Sequence, residues 1–300
     1  MTSPQDPRAE HFTYLRPLLF TIAYEILGSA TESDDVLQDS YLRWADVDLS
    51  TVRDSKSYLS QLVTREALNA LRARTRRREQ YVGPWLPEPL QLDDTDAASD
   101  VVLAESVSIA MLVVLETLTP DERAVFVLRE VFDFDHDEIA GAVGKSVAAV
   151  RQLAHRARGH VHARRRRFGP ADGAWTTQVT DQFLRAARTG EVEGLVSMLA
   201  PDVTFTADSG GKATAARRPI VGDRKVAALL RKFFHFVGHT PDARLEVTTC
   251  NFMPALAIHR GNAFEGLLLI ECDGHITNLY GVRNPDKLTA FSVPRTLSRQ

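Results

Sequence analysis

The chain has 300 residues, of which 44% are hydrophobic and 25% charged, with a net charge of −3. That length argues for two or three domains with real cores. No apolar run reaches the ~20 residues that span a bilayer, and MTSPQDPRAEHF lacks the layout of a signal peptide, so a cytoplasmic protein with no membrane partner is expected. Two cysteines, Cys250 and Cys272, make neither a disulfide framework nor a CxxC zinc motif. No metal or cofactor is expected.

The first element is a helix. Leu15, Leu18, Leu19, Ile22, Ala23, Ile26 and Leu27 recur with the period of one helix face, and Gly28 ends it. Thr31 with Asp34 reads as the start of a second helix, in which Leu37, Tyr41 and Trp44 share a face. Trp44 therefore reads as core. A polar loop at about 47–57 precedes a long helix from about Tyr58, which runs into RARTRRR at 72–78, a block with five arginines. The prolines of YVGPWLPEPLQLDDTDAASD (81–100) break regular structure. Yet Tyr81, Val82, Trp85, Leu86 and Leu90 are too apolar for a solvated tether, so this linker is expected to dock on a surface. Residues 79–122 hold ten Asp or Glu and no Lys or Arg. Charge is thus segregated along the chain, and the near-neutral total conceals it.

Helices resume near Ser99. Thr119, Pro120 and Glu122 form a helix start with a capping box, and Asp135 with Glu138 repeats it. Ile139, Ala140, Val143, Gly144, Val150 and Leu153 have the spacing of a helix-turn-helix, with Gly144 in the turn and Ser146 capping the second helix. That helix offers Ala148, Arg151, Gln152, His155 and Arg156 outward. From Arg151 to Arg167 there are seven arginines, three histidines and no carboxylate. Arg and Gln make bidentate contacts to base edges, and the later arginines suit phosphates. A solvated basic helix in an ordinary bundle is the bland alternative.

After Gly169-Pro170 the pattern changes to two helices at about 176–189 and 191–199 and a strand at 202–208. A further helix carries Val226 to Val237, and strands follow at 244–252, 255–260, 263–272 and 275–283. Asp273-Gly274 reads as a two-residue hairpin turn. Helices before an antiparallel meander make an α+β domain.

RPLLFTIAYEILGSATESDDVLQDSYLRWA (16–45) resembles region 2 of bacterial sigma factors of the extracytoplasmic-function (ECF) type, and residues 118–161 resemble their region 4. YVGPWLPEPL, DSGGK (208–212, with Ser209 where glycine is expected) and NPDKL (284–288) resemble motifs of the subgroup with a C-terminal SnoaL-like, NTF2-type domain. The fold implied is multi-domain: two all-α sigma domains, then an α+β cone with a curved antiparallel sheet. The divisions expected are region 2 at 8–80, linker at 81–98, region 4 at 99–168, tether at 169–175 and tail at 176–300.

The resemblance implies a promoter-specificity subunit whose partners are core RNA polymerase, at its β′ clamp helices and β flap, and promoter DNA. Asp34, Asp35, Val36, Leu37, Gln38 and Asp39 would face the clamp helices. Arg53, Ser55, Lys56, Asn69, Arg72 and Arg76 would read the −10 element, a base leaving the stack to be held there. Ser146, Ala148, Arg151, Gln152, His155 and Arg156 would read the −35 element. The tail would regulate in place of a separate anti-sigma protein, through Tyr81, Trp85 and Leu86 of the linker, Asp208, Gly210, Gly211 and Lys212, and Asn284, Pro285, Asp286, Lys287 and Leu288. Its cavity would take a small-molecule ligand among Phe205, Phe233, Phe252 and Tyr280. Asp202, Asp208, His235, His239, His259 and Glu271 are the acid–base candidates, without a recognisable dyad, so no catalysis is expected. The alternative readings are a stand-alone helix-turn-helix regulator with a ligand-sensing tail and an enzyme in the tail.

Overall fold

A computed structural model describes residues 6–299 apart from 78–80, 94–99, 165–177, 180, 183–184, 187–188 and 190; the side chains of 75–77 are also outside the description. Helix α1 (Pro7–Leu27) is capped by the Asp6 side chain and closed by Gly28 at φ 67°, a left-handed position that suits glycine. Helix α2 (Ala30–Ala45) starts two residues earlier than the Thr31–Asp34 reading. Ser29 is the cap and accepts from the Glu32 amide, because Ser-x-x-Glu directly after the glycine turn has the right spacing. Trp44 is fully buried and its indole donates to the Arg8 carbonyl at 2.8 Å, as the core reading requires. A short 3-10 turn (Leu49–Thr51) leads to α3 (Ser55–Arg77), which packs on α1 and α2.

The second helical part holds α4 (Val101–Ser106), α5 (Ile109–Leu115), α6 (Pro120–Phe126), α7 (His136–Val143) and α8 (Val147–Arg164). Both expected capping boxes are formed, at Thr119/Glu122 and Asp135/Glu138. Helix α6 continues as a π-helical turn over Val127–Val131. Gly144, at φ 68°, makes the turn between α7 and α8, and Ser146 accepts from the Ala149 amide.

The tether 169–175 and half of the residues of the helix expected at 176–189 lie outside the described residues. The next helix is only α9 (Glu193–Val196), and β1 (Leu199–Asp208) begins earlier than expected. Then come β2 (Ile220–Val221), α10 (Asp223–His239), β3 (Ala243–Cys250), β4 (Met253–Arg260), β5 (Ala263–Cys272), β6 (Ile276–Val282) and α11 (Pro285–Leu288). The sheet order is β2-β1-β6-β5-β4-β3. Strands β3 to β6 are the expected antiparallel meander, but β1 runs parallel to β6. Helix α10 carries the chain across the sheet from β2 to β3, which returns the last strand beside the first. The sheet is therefore mixed, not purely antiparallel.

The β5–β6 connection spans Asp273 to His275, not two residues, because an irregularity after Glu271 shifts the register to Cys272 opposite Ile276. Two-residue hairpins occur instead at Gly261-Asn262 and at Asn251-Phe252, the latter with both φ values positive at 52° and 57°, the geometry of a type I′ turn.

Both faces of the sheet are covered. Leu256, Leu268, Ile270 and Leu279 join α10 in the core of the tail. Ala255, Leu267, Leu269, Tyr280 and Val282 belong to one apolar core that also runs through α1 to α8 and the linker. Strand alternation accounts for this split, since neighbouring residues point to opposite faces.

Candidate functional site

The linker docks as expected. Its described residues, 81–93, have no regular secondary structure beyond a bridge at Leu92, and Leu86 and Leu90 are 1% and 0% exposed, each burial contributing about 1.5–3 kcal/mol. The polar atoms that hold it converge on Asp208, the last residue of β1, which is fully buried. Its Oδ1 accepts from the Tyr81 hydroxyl at 2.5 Å and the Gly210 amide at 3.0 Å. Its Oδ2 accepts from the Leu86 amide at 2.8 Å and the Lys287 ammonium at 2.6 Å. Lys287 also donates to the Leu86 carbonyl at 2.5 Å and lies 3.9 Å from the Trp85 ring centre, a cation–π contact. Asn284 donates to the Tyr81 hydroxyl at 2.9 Å, and Lys212 pairs with Asp286. Burial pushes the Lys287 amine down to about 8, against the pull of the Asp208 carboxylate, and burial first, then Asp208, push the Tyr81 hydroxyl up. Pro285 is exposed and Leu288 buried beneath this cluster. Gly211 is needed for a close approach: at φ 75° a Cβ there would meet Val82 at 3.2 Å. Three separate stretches of chain thus meet as one latch.

Three further residues of the seam went unrecognised in the sequence. Glu88 is 8% exposed and caps the start of α2, accepting from Ser29 Oγ at 2.8 Å and the Thr31 amide at 3.0 Å. Asn251, at the tip of the β3–β4 hairpin, is fully buried. Its Oδ1 accepts from the Leu90 amide at 2.7 Å; its Nδ2 donates to the Tyr24 hydroxyl at 2.8 Å and the Val107 carbonyl at 2.7 Å. One amide side chain therefore ties the tail to α1, the linker and the residue after α4. Arg295 forms a two-point ion pair with Asp34 at 3.0 and 2.6 Å. The available signal for Asn251 was an Asn in a two-residue gap between strands. Asn251→Ala leaves three buried partners unmade and is expected to lower stability by about 2–4 kcal/mol. Asn251→Gly, which keeps the positive φ, should lose a similar amount in a urea titration.

The residues expected to meet polymerase divide. Asp35, Gln38 and Asp39 are exposed, and Asp34 is half-buried against Arg295 and Arg16. Val36 and Leu37 are 6% and 0% exposed, so the expectation that they face outward is corrected: the helical period turns them into the core. In the −10 set, Arg53, Lys56, Asn69 and Arg72 are exposed, and Ser55 bonds His11 at 3.1 Å. Arg72 pairs with Asp121 of α6 at 2.6 Å. Arg76 lies in α3, its side chain outside the description. On α8, Arg151, Gln152, His155 and Arg156 line one shallow depression, with Ser146 and Ala148 exposed at the start of the same helix. Arg156 is paired with Glu122 at 3.0 Å and Arg158 with Glu130 at 2.7 Å.

A cavity of about 300 Å³ lies between α10 and the sheet. Phe205 and Phe233 line it, as expected. Phe252 and Tyr280 do not: both pack into the core shared with the helices, Tyr280 because it alternates with the cavity-facing Gly281. Of the acid–base candidates, His259 lines the cavity. Asp208 is in the latch, and Glu271 accepts from Tyr280 at 2.6 Å and Asn278 at 3.0 Å. Asp202 is exposed, while His235 and His239 line a different groove. Both thiols are pushed up by burial, Cys272 to about 12. Among the described residues no group of His, Cys, Asp or Glu could hold a metal, and no helix is long and apolar enough to cross a membrane.

Residues 11–77 match the family model for sigma-70 region 2, and 108–161 that for sigma-70 region 4. The chain is 35% identical to the ECF RNA polymerase sigma factor SigJ of Mycobacterium tuberculosis over 93% of its own length and 92% of that protein. It is 28% identical to a probable ECF RNA polymerase sigma factor, SigI, of the same organism, covering 95% and 96%. The crystal structure of SigJ superposes with a TM-score of 0.74 at 33% identity, covering 94% of this chain and 99% of that one. The two helical domains and the mixed α/β tail thus occur together in a relative of known fold, and this chain belongs to the ECF RNA polymerase sigma factors, in the form that carries a C-terminal SnoaL-like domain.

Proposed function

We propose that the tail regulates initiation in cis, by holding the two DNA-reading domains in one arrangement through the latch at Asp208. The observation that carries this reading is the single buried carboxylate that takes hydrogen bonds from the linker, from its own glycine-rich loop and from Lys287. A promoter needs the domains spaced for the −35 and −10 elements, so a contact that prefers one spacing shifts the equilibrium. In this arrangement Arg72 is held by Asp121 and Asp34 by Arg295, so groups assigned to DNA and to polymerase are engaged within the chain.

The divisions remain region 2 at 8–80, linker 81–98, region 4 at 99–168, tether 169–175 and tail 176–300. The core-polymerase face comprises Asp34, Asp35, Gln38 and Asp39. The −10 reader comprises Arg53, Ser55, Lys56, Asn69, Arg72 and Arg76, and the −35 reader Arg151, Gln152, His155 and Arg156 with Ser146 and Ala148. The partners are core polymerase, through its β′ clamp helices and β flap, and promoter DNA, in the cytoplasm. The tail takes the place of an anti-sigma protein. It has no catalytic role in this reading, and its cavity is a ligand pocket.

Core polymerase supplied with the full chain, with the chain ended after Phe168, and with Arg151→Ala tests this in a promoter-specific transcription assay. Ending the chain is expected to change output. Arg151→Ala is expected to cost about 1–3 kcal/mol of promoter affinity and to relax preference at one base pair. Unchanged output from the shortened chain sinks the regulatory reading. Duplex DNA binding without association with core polymerase sinks the initiation reading for this chain's sites.

A further inference from the structure

The cavity under α10 has walls of Phe205, Leu229, Phe233, Ile258 and Leu268. Its volume, about 300 Å³, is at the small end of ligand sites. Its charge is confined to one end, where Arg260, Arg283 and Glu265 meet beside His259. Glu265 lies 2.7 Å from Arg260 and 3.8 Å from Arg283. The other arm of Arg283 donates to the Thr214 carbonyl at 2.8 Å. His259 is 3.6 Å from Glu246. Two guanidinium groups share one carboxylate at the mouth of an otherwise apolar hole.

We infer that this cavity binds an amphipathic carboxylate, with its hydrocarbon chain among the aromatic and aliphatic walls and its head group on Arg283 and Arg260, and that binding loosens the latch. Guanidinium groups take carboxylates in two-point, charge-assisted hydrogen bonds. An alkylammonium meets like charge at the same place, and an alkanol gains only a neutral hydrogen bond.

The route to the latch is short. Ala207 lines the cavity, and its neighbour Asp208 points through the opposite face of the sheet into the latch. The Arg283 amide donates to the Asp208 carbonyl at 2.7 Å, and Asn284 follows directly. Thr214 sits on the loop that carries Gly210, Gly211 and Lys212. A head group that draws Arg283 from the Thr214 carbonyl frees that loop, which packs on Val82 and pairs with Asp286. The ligand therefore favours the released latch, and by reciprocity a weakened latch favours the ligand. The coupling rests on the latch reading above; the binding does not.

Calorimetric titration of the full chain with decanoate, decanol and decylammonium tests both parts. Decanoate is expected to bind one per chain and about tenfold tighter than decanol, the worth of a charge-assisted hydrogen bond, with decylammonium weaker than either. Leu229→Trp, which fills the cavity, should abolish binding, and Arg283→Gln should bring decanoate to the level of decanol. Equal affinity for the three probes, no binding of decanoate, or binding untouched by both variants overturns the site. Tyr81→Phe removes two latch hydrogen bonds, one to Asp208 and one from Asn284, and should tighten decanoate about fivefold. Unchanged affinity in Tyr81→Phe, with faster amide exchange at 81–90 showing that the latch is weakened, overturns the coupling alone. Unchanged exchange at 81–90 in that variant overturns the latch reading instead.

Discussion

Asp208→Ala is expected to destabilise the full chain by about 3–5 kcal/mol, the range for breaking a buried ion pair by removing one partner. The loss exceeds the worth of any one contact because of what stays behind. Lys287 remains 5% exposed, with a charge against the Trp85 ring and one carbonyl partner. The Tyr81 hydroxyl and the Leu86 and Gly210 amides lose their acceptor at the same time. Asp208→Asn should recover little, since an amide presents a donor as well as an acceptor and cannot satisfy four donors at once. Replacing the pair together, Asp208→Leu with Lys287→Met, should recover much of the loss, because apolar substitutes leave no orphaned charge. The coupling energy from the four-chain cycle is expected at about 3 kcal/mol or more, since each single change leaves a buried charge that the double change removes. Urea titration gives these energies, and amide exchange at 81–90 shows where they act. A loss under about 1 kcal/mol with the linker still protected would falsify the latch as the holding device.

Local signals were legible and long-range ones were not. The helix starts at Thr119 and Asp135, the turn at Gly144 and the core position of Trp44 follow from spacing within a few residues, and each is present in the fold. The linker's prolines and apolar residues foretold a docked, irregular segment, and it is one. The partner of Glu88 was hidden, because a glutamate between two prolines gives no sign that it caps a helix some sixty positions earlier in the chain. Asn251 was hidden for the same reason: nothing nearby shows that its side chain reaches α1. Val36 and Leu37 were misplaced because a motif names consecutive residues, whereas a helix exposes only some of them. The parallel β1–β6 pair depends on how α10 crosses the sheet, which strand alternation does not encode.

Raising pH from 6 to 8 is expected to weaken the seam between the two helical domains, and Glu25 is the group responsible. It lies on α1, fully buried, and its Oε1 accepts from Ser106 Oγ of α4 at 2.8 Å. Among the described residues its Oε2 has no hydrogen-bond partner. Arg123 of α6 is adjacent, but its Nε donates to the Glu25 carbonyl at 2.9 Å and its Nη1 is paired with Glu116. Burial pushes the Glu25 carboxyl up to about 8 from an ordinary 4.5, with the Ser106 hydrogen bond and the Arg123 charge opposing. The folded chain thus holds a proton that the unfolded chain releases between those values. Stability then falls as pH rises across the interval, by roughly 1 kcal/mol per pH unit, and levels off above about 8. Separating α1 from α4 and α6 hydrates the carboxyl and frees the same proton, so opening the seam has the same sign. Glu25→Gln keeps the shape and the acceptor for Ser106 but cannot ionise. It should remove the slope and stabilise the chain at pH 8 by about 2–4 kcal/mol. Urea titrations at pH 6 and 8 measure the slope, and energy transfer between dyes on α2 and α8 reports the opening. If the glutamine chain keeps the same slope, the titrating group lies elsewhere.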